Sequence, residues 1–134
     1  MDKFTLRIIT PERTFFDEQV DMVEFNTIEG EVGIYRNHIP MTMVIAPGVL
    51  TITQEDKTLN AALHAGFAEV LPEQVTVLAE VVEWPGEIDK ERAEEAKARA
   101  EERIREASEN SGVDMIRAEL ALRRAIARIQ AAGK

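Results

Sequence analysis

Apolar and polar residues alternate along the first two thirds of the chain, and then the period changes. Phe4-Thr5-Leu6-Arg7-Ile8-Ile9 has the two-residue period of a half-buried strand, ended by the turn residues Thr10-Pro11-Glu12-Arg13. Val20-Asp21-Met22-Val23-Glu24-Phe25 predicts a second strand, with Val20 and Met22 on one side and Val23 and Phe25 near the other. Ile28 to Pro40, with Gly30 and Gly33 three apart, predicts a shaped loop, because glycines permit backbone conformations that a Cβ obstructs. Met41–Ile45, Val49–Thr53, Leu59–His64, Phe67–Leu71 and Val75–Val81 then read as short strands separated by Pro47-Gly48, Glu55-Asp56-Lys57-Thr58 and Pro72-Glu73-Gln74. Strands at this spacing predict an antiparallel β-sandwich or flattened barrel over about residues 1–85.

After Pro85-Gly86 the apolar positions step by three and four. Ala93, Ala96, Ala100, Ile104 and Ala107 mark one helical face, and Asp89 precedes it as an acceptor for the free amides of a first turn. Glu109-Asn110-Ser111-Gly112 predicts a break, beyond which Met115, Ala118, Leu122, Ala125, Ile129 and Ala132 mark a second helix. Two helices joined by a short polar loop predict an α-helical hairpin over 86–134, making the fold class α+β. A stripe of alanines buries little: each CH₂ contributes about 0.8 kcal/mol, against roughly 1–2 kcal/mol to order each residue. Such a hairpin needs the sandwich, a ligand or a partner to stay folded back.

Composition narrows the function classes. The chain has 134 residues, 45% hydrophobic and 31% charged, with no cysteine, which excludes disulfides and thiolate metal sites. No apolar run approaches the roughly 18 residues of a membrane span, and Met1-Asp2-Lys3-Phe4 lacks the flank of a secretory signal. A net charge of −9 argues against nucleic acid and anionic lipid as partners. All of it belongs to the first 86 residues, with 5 basic side chains against 14 acidic; residues 87–134 hold 11 of each. Within the hairpin, residues 87–114 carry 6 basic against 10 acidic side chains and residues 115–134 carry 5 against 1.

The strand-rich half holds no Ser-His-Asp set, and its glycines precede no Gly-Lys-Ser/Thr phosphate loop. His38 and His64 stand far apart and outside any metal-ligand spacing, so both are expected in structural roles. The candidate site lies in the helices. Arg92 and Arg99 are two turns apart on one helix, and Arg124 and Arg128 share a face on the other. Folded antiparallel, these guanidinium forks can converge on phosphate oxygens. Glu83, Ile88, Asp89 and Ala93, at the near end of the first helix, offer acceptors and apolar contact for a purine. On spacing alone, arginine and glutamate on an alanine-rich helix more simply describe a solvated face.

Several motifs add to this reading. Thr10-Pro11, Gly30-Glu31-Val32-Gly33-Ile34 with His38-Ile39-Pro40, Gly66-Phe67-Ala68-Glu69-Val70 and Arg117-Ala118-Glu119-Leu120-Ala121-Leu122-Arg123-Arg124-Ala125 stand in an order that resembles the epsilon subunits of bacterial F-type ATP synthases. Ile88-Asp89-Lys90-Glu91-Arg92-Ala93 is similar to the Ile/Leu-Asp-x-x-Arg-Ala motif with which members of that family bind ATP. Tyr35-Arg36 and Ala65 depart from the family pattern, both within the sandwich. The resemblance implies a noncatalytic rotor subunit whose sandwich binds the gamma subunit and the c-ring. Its hairpin would reach the alpha and beta catalytic subunits and restrain ATP hydrolysis. It also implies ATP as a regulatory ligand, with Mg²⁺ compatible, held by Glu83, Ile88, Asp89 and Ala93 at the adenine end and by Arg92, Arg99, Arg124 and Arg128 at the phosphates. The implied location is the cytoplasmic face of the bacterial plasma membrane, peripheral and without a span. The competing reading is a purely structural coupling subunit with a fixed hairpin and no nucleotide sensing.

Overall fold

The computed structural model describes residues 2–109 and 114–133. Ten strands precede two helices: β1 Phe4–Ile9, β2 Thr14–Val20, β3 Met22–Thr27, β4 Gly30–Ile34, β5 Met41–Ile45, β6 Gly48–Gln54, β7 Lys57–Leu63, β8 Gly66–Val70, β9 Gln74–Ala79 and β10 Val82–Glu83. A single 3₁₀ turn at Pro85–Glu87 leads into α1, Lys90–Glu109, and then α2, Met115–Ala132. The expected break overlaps residues 110–113, which lie outside the described residues.

The strands form one sheet in the order β10-β7-β6-β3-β5-β8-β9-β1-β2, with β4 also paired to β3. It bends over on itself, and Gln54 at the end of β6 reaches β2, its Nε2 donating to Glu18 Oε1 at 3.1 Å and to the Gln19 carbonyl at 3.0 Å. The enclosed core takes Phe4, Leu6 and Ile8 from β1, Val23 and Phe25 from β3, and Leu50 and Ile52 from β6, all fully buried. Alternation was therefore a sound guide to β1 and β6. All pairings are antiparallel but one: β1 runs parallel to β9, Leu6 opposite Val75 and Ile8 opposite Val77.

Three strands depart from the sequence expectation: β2, β4 and the two-residue β10, Val82–Glu83, beyond the strand expected to end at Val81. Thr14–Val20 is β2, where Phe15 and Phe16 are both buried and Asp17, Glu18 and Gln19 are all exposed, so no two-residue period shows. It lies at the end of the strand order, which leaves one of its edges unpaired. The expected shaped loop from Ile28 instead contains β4, a hairpin partner of β3 with Phe25 opposite Val32. Gly30 turns that hairpin at a φ of 124°, a conformation open to glycine.

The strand ends carry the junction between sandwich and helices. Trp84 stacks on Phe15 at 4.2 Å between ring centroids, and Arg13 lies over the same Phe15 ring. Arg13 Nη2 also donates to both oxygens of Glu87, at 2.7 and 2.8 Å. Glu87 Oε1 accepts the Trp84 amide at 2.9 Å, which ties the 3₁₀ turn to the start of the sandwich. Asp89 then caps α1 as expected, its Oδ1 accepting the Arg92 amide at 3.1 Å, and Asp114 does the same for Arg117 in α2.

α2 is two-sided. Ala118 and Ala125 lie on the face expected to meet α1, where Ala93 and Ala100 are buried in turn. Ala127 and Ala131 are buried as well, and Ala127 sits about 200° around the helix from Ala125 at 3.6 residues per turn. That second line packs on β6 and β7. On β7, Ala61 and Leu63 belong to the sandwich core, whereas Ala62 is fully buried without belonging to it, because α2 covers the outer face there.

Candidate functional site

At the junction the helices and the sandwich edge enclose a cleft of about 330 Å³, lined by Glu83, Glu87, Asp89, Arg92, Ala93, Ala96, Arg99 and Arg128. Arg128 near the end of α2 thus meets Ala93 near the start of α1, so the helices run antiparallel. Arg92 and Arg99 reach the cleft by helical spacing, Asp89 by capping, and Glu83 as the last residue of β10, directly opposite Ala62 of β7. Of the eight residues expected at the site, six line this cleft. Ile88 is half-buried beside it, its amide held by the Pro85 carbonyl at 3.2 Å. Arg124 lies one turn before Arg128, partly buried, and does not line the cleft. Glu87 and Ala96 do so without having been expected.

The charges are unevenly paired. Arg128 Nε donates to Glu83 Oε1 at 2.6 Å, a link from α2 to the sheet. Among the described residues, the guanidinium groups of Arg92 and Arg99 have no ion-pair or hydrogen-bond partner. The cleft therefore offers two uncommitted guanidinium groups beside a third already bound to a carboxylate. Anionic oxygens suit such a donor set, with planar forks able to donate in pairs. Glu83, meanwhile, is an acceptor with one oxygen engaged. No group of three or more His, Cys, Asp or Glu side chains among the described residues is arranged to hold a metal ion.

His64, left to a structural role by the sequence, lies beneath this link. Its side chain is 2% exposed and its Nε2 stands 3.3 Å from Glu83 Oε1. A carboxylate oxygen only accepts, so Nε2 carries the proton and donates. Burial holds the imidazole below its ordinary value. The positive charge of Arg128 adds to that depression, Glu83 opposes it, and Arg124 adds a smaller push in the same direction as Arg128.

The opposite side of the sandwich is apolar and open. Val44, Phe67 and Leu78 are direct cross-strand partners on β5, β8 and β9, and all three are exposed. They border a groove of about 530 Å³ that also takes in Ile9 and Pro11.

Comparison with known proteins places this architecture. The beta-sandwich domain of ATP synthase delta/epsilon chains matches residues 3–85, and the long alpha-helix domain of the same chains matches residues 87–133. The chain belongs to the ATP synthase delta/epsilon family. Relatives in this family are the ATP synthase epsilon chain of Halalkalibacterium halodurans, 41% identical over the full length of both chains, and that of Herpetosiphon aurantiacus, 44% identical over 95% of this chain and 92% of the other. Among solved structures, a chain of the Euglena gracilis mitochondrial ATP synthase assembly of OSCP, F1 and c-ring superposes with a TM-score of 0.82 at 25% identity, over 98% of this chain and 82% of that one. A chain of the Tetrahymena thermophila mitochondrial central stalk and c-ring shares the fold at 0.57 and 15% identity, over 66% and 71%. The sandwich and helical pair of the family are those of this chain. No helix among its described residues is long and apolar enough to cross a membrane.

Proposed function

We propose that the chain is a noncatalytic central-stalk subunit of a proton-translocating ATP synthase whose helical hairpin senses ATP. The observation that carries this reading is the cleft at the junction, with Arg92 and Arg99 uncommitted and Arg128 brought to them only by the folding back of α2. ATP would place its phosphates among these three guanidinium groups and its base toward Glu83, Asp89 and Ala93, beside Ile88. Arg124 would act from behind, as a neighbouring charge. Mg²⁺ carried by the nucleotide is compatible with this site.

Because the cleft takes residues from both helices and from β10, a nucleotide would bind the folded-back hairpin better than an extended one. ATP at 100 times its dissociation constant would favour the compact form by about 2.7 kcal/mol. The extended hairpin, with its basic second helix, would restrain hydrolysis by reaching an acidic surface of the catalytic alpha and beta subunits. The apolar row of Val44, Phe67 and Leu78 suits the gamma subunit, and the same sandwich would sit on the c-ring at the cytoplasmic face of the plasma membrane. The chain itself would not cross that membrane.

Calorimetric titration of the isolated protein with ATP tests the sensing site. Arg92→Ala and Arg128→Ala each remove a charged hydrogen-bond donor, a contribution of about 1.5–3 kcal/mol, so affinity should fall roughly ten- to a hundredfold. Unchanged affinity in both variants would remove the cleft as the nucleotide site.

A further inference from the structure

We infer that uptake of a proton by His64 releases the helical hairpin from the sandwich, making the docking of α2 sensitive to acid. Three observations meet at this residue. His64 follows β7 on the side of Ala62, the face that α2 covers, and is 2% exposed. Its Nε2–H donates to Glu83, so Nδ1 bears the lone pair, and Nδ1 is buried without a hydrogen-bond partner among the described residues. The charged groups around it are Glu83 from β10 and Arg128 and Arg124 from α2. A proton on Nδ1 would add a third positive charge to a cluster holding a single carboxylate, with no acceptor for the new N–H.

When α2 leaves, both arginines leave with it and Nδ1 meets water. The undocked state therefore takes up the proton more readily, and the depression of the imidazole in the docked form has the same sign. Docking is at full strength above the ordinary imidazole value near 6.5. It weakens as pH falls from there toward the depressed value, by at most tenfold per pH unit for one proton. This inference rests on the undocking of the hairpin proposed above, and not on the binding of ATP.

The chain contains no cysteine, so Lys57→Cys on β7 and Gln130→Cys on α2 accept a dye pair for energy transfer in the full-length protein. Transfer should fall as pH drops from 8 to 5.5, a range in which ordinary carboxylates stay mostly ionised. In H64Q, which keeps His38, it should stay level. An equal fall in H64Q overturns the inference. Level transfer in the parent chain overturns it too, and a parallel titration with ATP at pH 7 then separates the cases: a response to ATP leaves the hairpin switch standing, and no response removes both. Proton NMR of the His64 ring supplies a second measurement in case H64Q perturbs the fold. Its midpoint should rise in R124Q, which loses one neighbouring cation, and an unmoved midpoint overturns the electrostatic link.

Discussion

Two glycines in this chain look alike in sequence and differ in what surrounds them. A Cβ on Gly66 would lie 2.1 Å from the Leu78 carbonyl oxygen and 2.8 Å from Ala79 Cα, backbone atoms that the pairing of β8 with β9 holds in place. A Cβ on Gly86, in the 3₁₀ turn, would meet nothing within 4 Å. Gly66→Ala should lower stability by about 1–3 kcal/mol, as overpacking does, while Gly86→Ala should stay within about 0.5 kcal/mol; urea unfolding midpoints compare them. Gly66 was visible as part of a motif, but the carbonyl that excludes a side chain there was not, since it comes from a neighbouring strand. The same holds across the cleft. Asp89, Arg92 and Arg99 follow from helical arithmetic within a few residues. Glu87 depends on Arg13, 74 residues away, and His64 on a carboxylate bound by Arg128, and no local pattern encodes such meetings.

Helix and strand signals fared differently for a physical reason. α1 shows one alanine face and was legible as such, whereas α2 buries two, and its second line of Ala127 and Ala131 resembles any pair of good helix formers on a wet surface. Only the sheet beneath gives those residues their role. Ala131 is fully buried, so Ala131→Leu should wedge α2 away from β6 and β7 while the sandwich keeps its own core. The expected result is retained helical circular dichroism with faster proteolysis near residues 84–90; Ile116→Leu, at a side chain 72% exposed, should change neither. β2 escaped notice because its pairing with β1 slips by one residue at Phe15, which lets Phe15 and Phe16 both turn inward, and β4 because glycine and glutamate in Gly30-Glu31-Val32-Gly33 carry weak strand preference.

For the whole molecule, a switch and a brace make different demands on the hairpin. Among the described residues its ties to the sandwich include the small side chains of Ala127 and Ala131 on the sheet, the Arg128–Glu83 pair and the strap of Arg13 on Glu87. Contacts of this size suit an element that detaches while the ten-stranded sheet stays whole. Removing residues 88–134 and measuring hydrolysis by the assembled synthase decides between them: a switch predicts faster hydrolysis, and a brace predicts no release.

The parallel pairing of β1 with β9 has a consequence for how the chain is made. β1 cannot gain this partner until residues 74–79 have been synthesised, so it waits for almost the entire sandwich. Pairing across so long a separation is slow relative to local contacts. The helices follow the sandwich in the chain, so β6 and β7, the strands on which α2 packs, are synthesised before it.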